Sequence, residues 1–223
     1  MEAKKYKNIG YVFSTPDNFD KNKKYPGLIV LHGAGSRGSD ASALFNNPFF
    51  LNKEENYNGF VIAAPQCPND MTWFDIFEQL KEFALAFYTS EFVDKKHFFC
   101  MGPSMGGYGT WQLAMSMPEL FAAIVPICGG GMYWNADRLA DVGVWAFHGA
   151  LDNVVMPEES KKMVDAVNRC GGSAKLTIYP ENDHNAWSDT YRNPEVEKWL
   201  LSHGKKAAAK ALKSSYNNSE LFG

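Results

Sequence analysis

Phe98-Phe99-Cys100-Met101-Gly102-Pro103-Ser104-Met105-Gly106-Gly107-Tyr108-Gly109-Thr110-Trp111 is the stretch on which the reading of the chain turns. Its first four residues, FFCM, form a continuous apolar run of the kind that fills a strand buried on both faces. Residues 105 to about 117 have the apolar content of a buried helix. Between the two lies G-x-S-x-G: Gly102, Ser104 and Gly106. A serine on so sharp a strand-to-helix turn has a strained backbone, and its hydroxyl projects above the end of the sheet. A β-carbon at either flanking glycine would collide with the turn. The helix behind the serine aims unpaired N–H groups and its positive end at the place where negative charge develops in acyl transfer. The plainer alternative is a Gly-rich turn with a serine that merely caps the helix.

Working outward, the rest of the chain alternates strand and helix signals. Residues 9–14 read as a first, edge strand, and 25–31 (YPGLIVL) as a buried strand leading into the Gly-rich loop His32-Gly33-Ala34-Gly35-Ser36-Arg37-Gly38. A short helix interrupted at Pro48 is expected over 44–51, then a strand over 59–64. Apolar residues recur at helical spacing from Phe77 to about Phe92. Strands follow at 121–128, 142–147 and 176–179, with helices at 157–170 and 194–203. Pro157 near a first turn and Gly171-Gly172 just past the end delimit the first of those two helices. This alternation predicts a mostly parallel central sheet with helices on both faces, in one α/β domain over 1–204. The stretch 205–223 reads as an Ala-rich, partly helical tail that fades into a mobile end.

A serine is a poor nucleophile without a base to take its proton, and the base needs a carboxylate to orient it. His184 stands alone in a loop after the last predicted strand, among Asn182, Asp183, Asn185 and Trp187, and is the candidate base. His32 and His148 each precede a glycine at a strand end and read as loop braces. Asp152, just past the penultimate strand, is the candidate acid; Asp183 and Asp189 are its rivals by sequence proximity to His184. The carboxyl ends of parallel strands share one edge, so Ser104, Asp152 and His184 converge there, in the chain order Ser, Asp, His. The oxyanion requires two aimed N–H groups: Met105 supplies one, and Ala34, with Gly35 as alternative, the other. Trp73, Tyr108, Trp134 and Trp187 flank the motif loops and are candidates for an apolar acyl or aryl pocket, or else for packing the loops onto the sheet. Arg37 reads either as a contact for a carboxylate or sugar or as a partner for Asp40.

The bulk numbers agree with such an enzyme and exclude other classes. The 223 residues are 45% hydrophobic and 21% charged, with a net charge of −3, so neither nucleic acid nor an anionic membrane is an expected partner. None of Cys67, Cys100, Cys128 and Cys170 forms a C-x-x-C pair, and with no metal cluster or nucleotide fingerprint in the sequence, no cofactor and no metal are expected. Cys100 and Cys128 read as buried thiols, while a bridge involving Cys67 or Cys170 stays open. The opening residues lack the apolar stretch of a signal peptide, and no run approaches a membrane span, so the face-value expectation is a cytoplasmic protein, the removal of a leader being left open.

Taken as an ordered set, these motifs resemble the α/β-hydrolase superfamily, specifically its small serine carboxylesterases. HGAGSRG (32–38) is similar to their oxyanion loop. GPSMGGYGTW (102–111) resembles the nucleophile segment of the feruloyl and acetyl-xylan esterase-like branch. HGALDNVVMP (148–157) resembles the acid segment, YPENDHNAW (179–187) the histidine segment, and TWFDI (72–76) a segment of the phospholipase/carboxylesterase and acyl-protein thioesterase branch. The resemblance covers about 26–200; Pro103 before the serine and Ser36 before the arginine depart from the commonest choices. It implies an α/β-hydrolase fold and a serine esterase acting on small-molecule esters. The short segment between 128 and 142 leaves no room for a large cap domain. Short acyl or aryl esters are the first expectation. Feruloyl or acetyl groups on plant polysaccharide come second. An acyl thioesterase and a catalytically silent binding protein follow.

Overall fold

The computed structural model describes residues 1–205. Eight strands form one sheet: β1 (Glu2–Tyr6), β2 (Ile9–Ser14), β3 (Tyr25–Val30), β4 (Val61–Pro65), β5 (Val93–Pro103), β6 (Ala123–Ile127), β7 (Gly143–Gly149) and β8 (Ala174–Tyr179). Their spatial order is β1-β2-β4-β3-β5-β6-β7-β8. From β4 across to β8 every pairing is parallel, while β1–β2 and β2–β4 are antiparallel. This is the α/β-hydrolase fold, with a mostly parallel sheet and, among the described residues, no large cap. Only a short 3₁₀ segment, Tyr133–Leu139, lies between β6 and β7.

Period-two alternation distributes each apolar strand between two cores. Ile29, Leu31, Phe98 and Cys100 face one side, with Leu80, Phe83 and Phe87 of α2 (Phe77–Thr89), Trp111 and Met115 of α3 (Met105–Ser116), and Met163 and Val167 of α4 (Glu158–Arg169). Leu28, Val30, Phe99 and Met101 face the other, with Phe49 and Phe50 of α1 (Pro48–Asn56), Tyr191 of α5 (Trp187–Arg192), and Val196 and Leu200 of α6 (Pro194–Leu201). Each buried Leu, Ile, Val, Phe or Met among them contributes up to roughly 1.5–3 kcal/mol. Together they fix the central strands whose ends carry the site.

Several local expectations are corrected. The edge strand is β1, not 9–14. Glu2-Ala-Lys-Lys-Tyr6 has weak strand propensity, and its pairing with β2, Glu2 opposite Phe13 through Tyr6 opposite Ile9, overrides it. Pro48 starts a helix rather than interrupting one: it occupies the first turn of α1, where its missing N–H costs nothing, and Asn47 caps that turn through Phe49 N–H. The one-and-a-half-turn helix α5 between the histidine loop and α6 was not expected. All four cysteines are free thiols, so neither Cys67 nor Cys170 is bridged. No helix among the described residues is long and apolar enough to cross a membrane. The tail reading for 205–223 falls, beyond Lys205, outside the described residues.

Candidate active site

Ser104 sits between β5 and α3 with φ 55° and ψ −121°, a left-handed conformation that non-glycine residues adopt only when the surroundings impose it. Those surroundings are close contacts of backbone on backbone. A β-carbon on Gly106 would lie 2.1 Å from the Leu31 carbonyl oxygen, and one on Gly102 would lie 2.4 Å from the same atom. The glycines therefore allow the elbow to press against the end of β3, where the Gly33–Ser36 turn begins. Ser104 N–H donates to Ile127 O at 2.9 Å, tying the elbow to β6 as well.

The structure brings the three predicted side chains together. His184 Nε2 is 2.9 Å from Ser104 Oγ, and His184 Nδ1 is 2.7 Å from Asp152 Oδ2. An ionised carboxylate only accepts, so Nδ1 carries the hydrogen and Nε2 is left to accept from the serine. Burial of Asp152 opposes its charge, but the hydrogen bond from His184 and the N–H groups of Val155 and Val154 outweigh that, holding its carboxyl below the usual value. The rivals are engaged elsewhere. Asp183 accepts from Asn185 N–H, and Asp189 accepts from Asn182 and Arg192.

Met105 opens α3, so its N–H is among the first-turn donors that no helical carbonyl can satisfy. Ala34 opens the 3₁₀ turn Ala34–Ser36 beside the serine, and a β-carbon on Gly33 would be in van der Waals contact with Ser104 Cβ at 3.6 Å. Gly35 follows within the same turn. Arg37 folds back onto the turn, donating from Nε to Ala34 O at 2.9 Å, while Asp40 accepts from Ser42 rather than pairing with it.

A cleft of about 490 Å³ opens beside Ser104. Its walls are the 33–36 turn, Asn47, Pro48, Pro103, Val154, Trp187 and Tyr191, and none of its lining residues is Asp, Glu, Lys or Arg. Of the four candidate aromatics only Trp187 lines it, its ring edge-on to His184 at 5.4 Å. Trp73 is corrected from substrate contact to scaffold. It is fully buried, donates from Nε1 to His32 O at 3.0 Å, and packs under the loop through the His32 ring at 4.9 Å. Tyr108 is half-buried beside Gly130, outside the cleft lining, and Trp134 is 71% exposed on the 3₁₀ segment against Tyr133. Pro48, Val154 and Tyr191 carried no sequence signal, because each reaches the cleft only through the packing of α1, α5 and the acid loop. Cys128, at φ 39° just past β6, was read as a buried thiol; its sulfur, the Asp152 carboxylate and the His184 ring lie within 4.8 Å of one another. Burial pushes that thiol up.

His32 braces the Gly-rich loop as expected, and it does so as a neutral ring. Its Nε2 accepts Cys67 N–H at 2.9 Å and its Nδ1 lies 2.7 Å from Gly33 O. Burial pushes its pKa down to about 4. Below pH 6.5 the unfolded chain takes up a proton that the folded chain refuses until about pH 4, so stability falls as pH falls through that window. The expected loss attributable to His32 approaches roughly 3 kcal/mol by pH 4. Urea midpoints measured from pH 7 down to 4 should fall more steeply for the wild type than for His32→Gln. Parallel curves would show that the ring is protonated in the fold.

Comparison with known proteins shows the family and the fold. The model of the "Dienelactone hydrolase family" matches residues 50–218. A solved structure described as a thermostable esterase is 28% identical with a TM-score of 0.74, over 92% of this chain and 63% of the other. Est1E from Butyrivibrio proteoclasticus, solved with ferulic acid bound, is 14% identical with a TM-score of 0.69, over 91% of this chain and 99% of that one. A curated relative, dipeptidyl-peptidase 5 of Porphyromonas gingivalis, is 22% identical over 76% of this chain and 32% of its own length. The chain thus spans about a third of that relative and less than two thirds of the thermostable esterase.

Proposed function

Since this chain belongs to the dienelactone hydrolase family, a family of hydrolases, we propose that it is a serine carboxylesterase for short acyl or aryl esters. The observation that carries the reading is the unbroken relay Ser104 Oγ, His184 Nε2, His184 Nδ1, Asp152 Oδ2 at the floor of an apolar cleft. Ser104 Oγ attacks the ester carbonyl while His184 takes its proton. The tetrahedral oxyanion is held by Met105 N–H and Ala34 N–H. His184 then protonates the leaving alkoxide, and water repeats the sequence on the acyl-enzyme. The cleft volume falls within the range of small-molecule sites, roughly 300–1,000 Å³. Its lack of carboxylates favours an uncharged ester over a substrate with a free ammonium, as an aminopeptidase-like activity would require.

A second reading, release of feruloyl or related aryl groups from polysaccharide, draws support from the half-buried Trp187 in the cleft wall, against which an aromatic acyl group would stack. Hydrolysis of p-nitrophenyl acetate, butyrate and octanoate beside methyl ferulate separates the two. The expected result is Ser104-dependent turnover highest on the acetate or butyrate. A preference for methyl ferulate would move the assignment to the aryl reading. Failure on all four would count against both and favour a thioester substrate or a silent fold.

A further inference from the structure

His148 is the penultimate residue of β7, and its side chain is wholly buried. Its Nε2 lies 2.9 Å from Val155 O and 3.2 Å from Asp152 Oδ2. Both oxygens offer only lone pairs, so this nitrogen carries a hydrogen. On the other side Nδ1 is 2.7 Å from Ser160 Oγ, which in turn is 2.9 Å from Gly129 O. Gly129 packs against the nucleophile helix so tightly that a β-carbon would sit 2.8 Å from Gly107 C and Tyr108 N. Buried contacts therefore run from the acid loop, through His148 and Ser160, to the back of the elbow, the single Ser160 hydroxyl hydrogen serving either His148 Nδ1 or Gly129 O.

Asp152 is gripped on every side by this arrangement. Oδ1 accepts the N–H groups of Val154 and Val155 at 2.9 Å each. Oδ2 stands between two imidazoles, His184 at 2.7 Å and His148 at 3.2 Å. Val155 is clamped twice, giving its N–H to Asp152 and receiving His148 at its carbonyl.

We propose that His148 is a positioning residue for the proposed relay: its Nε2–H fixes the plane of the Asp152 carboxylate and draws charge from the oxygen that orients His184. This rests on the serine-hydrolase reading above. His148 lines no part of the cleft, so it acts on the relay and not on substrate binding.

The test is the pH profile of p-nitrophenyl butyrate turnover for wild type, His148→Leu and His148→Gln. In His148→Leu, kcat is expected to fall about 10- to 100-fold, the scale found when the outer partners of metal-bound histidines are removed, with KM within about twofold. The acid limb moves to higher pH, because Oδ2 without the second N–H carries more charge and stabilises the His184 imidazolium more strongly. His148→Gln keeps an N–H donor and returns the limb toward wild type. The other titratable groups are the same in all three proteins: Cys128 and Tyr108 beside Asp152, Ser104 and Cys128 beside His184, and Glu158 near His148. A merely structural histidine would lower the active fraction and leave the limb in place, and that result overturns the proposal, as does an unchanged kcat. If His148→Leu does not fold, Ser160→Ala decides: a smaller shift of the limb in the same direction supports the role, and an unmoved limb with unchanged kcat refutes it. Fluorophosphonate labelling separates the two levels of failure. A wild type that shows no Ser104-dependent labelling loses the relay reading and this inference together; a labelled wild type with an unmoved limb in the variants loses the inference alone.

Discussion

Ser104→Ala is expected to lower kcat on p-nitrophenyl butyrate by about 10⁶-fold, the scale found when the nucleophile is removed from a working triad. The Ser104 side chain makes its hydrogen bond to His184 Nε2 and lies at the cleft floor. The alanine leaves the Ser104 backbone bonds to Ile127 and Tyr108 in place, so stability should stay within about 0.5–1 kcal/mol of wild type. Residual turnover, of the order of 10³–10⁴ over water, would come from the oxyanion donors and substrate binding. His184→Ala should cost nearly as much, and the double variant little more than either, because in the proposed relay the three groups act as one unit. The measurement is kcat for all three proteins together with the mass of the fluorophosphonate adduct. If Ser104→Ala stayed within tenfold of wild type while His184→Ala lost activity, His184 would be activating water directly, and no acyl-enzyme would form.

How much of this was legible in the residues depends on how local each signal is. The convergence of Ser104, Asp152 and His184 could be read because each follows the carboxyl end of a strand, and parallel strands deliver those ends to one edge. Strand β1 was invisible because Glu2-Ala-Lys-Lys-Tyr6 is a strand only through its ladder with β2. Trp73 misled for a related reason. Its place in a motif loop left substrate contact and packing both open, whereas its indole N–H is spent on His32 O beneath the Gly-rich loop. An aromatic near a site reads the same in sequence whether it faces the ligand or the scaffold, and only packing distinguishes the two. The cleft wall was the least legible part. Pro48, Val154 and Tyr191 come from three separate segments, and their convergence is a property of the tertiary fold.

Asp152→Asn is the substitution whose outcome depends most on the geometry around a single carboxylate. Each contact of Asp152 is a donor: Val154 and Val155 N–H on Oδ1, and His184 Nδ1–H and His148 Nε2–H on Oδ2. An amide in this place presents an NH₂ to one of those pairs whichever way it turns. Turned toward the backbone, it sets donor against donor at two buried N–H groups, a cost of roughly 1–3 kcal/mol for each group left unpaired. Turned toward the imidazoles, it forces His184 to accept at Nδ1 and carry its hydrogen on Nε2, where it can no longer take the serine proton. The expected result is a fall in kcat of about 10⁴-fold at neutral pH with the fold retained and KM nearly unchanged. Asp183→Asn removes a carboxylate that only caps Asn185 N–H, and should change kcat by less than about threefold. The pair of measurements discriminates between the acids directly. Should Asp152→Asn keep more than a tenth of wild-type kcat, the orienting role would belong to another carboxylate, and the 2.7 Å contact with His184 would be packing rather than catalysis.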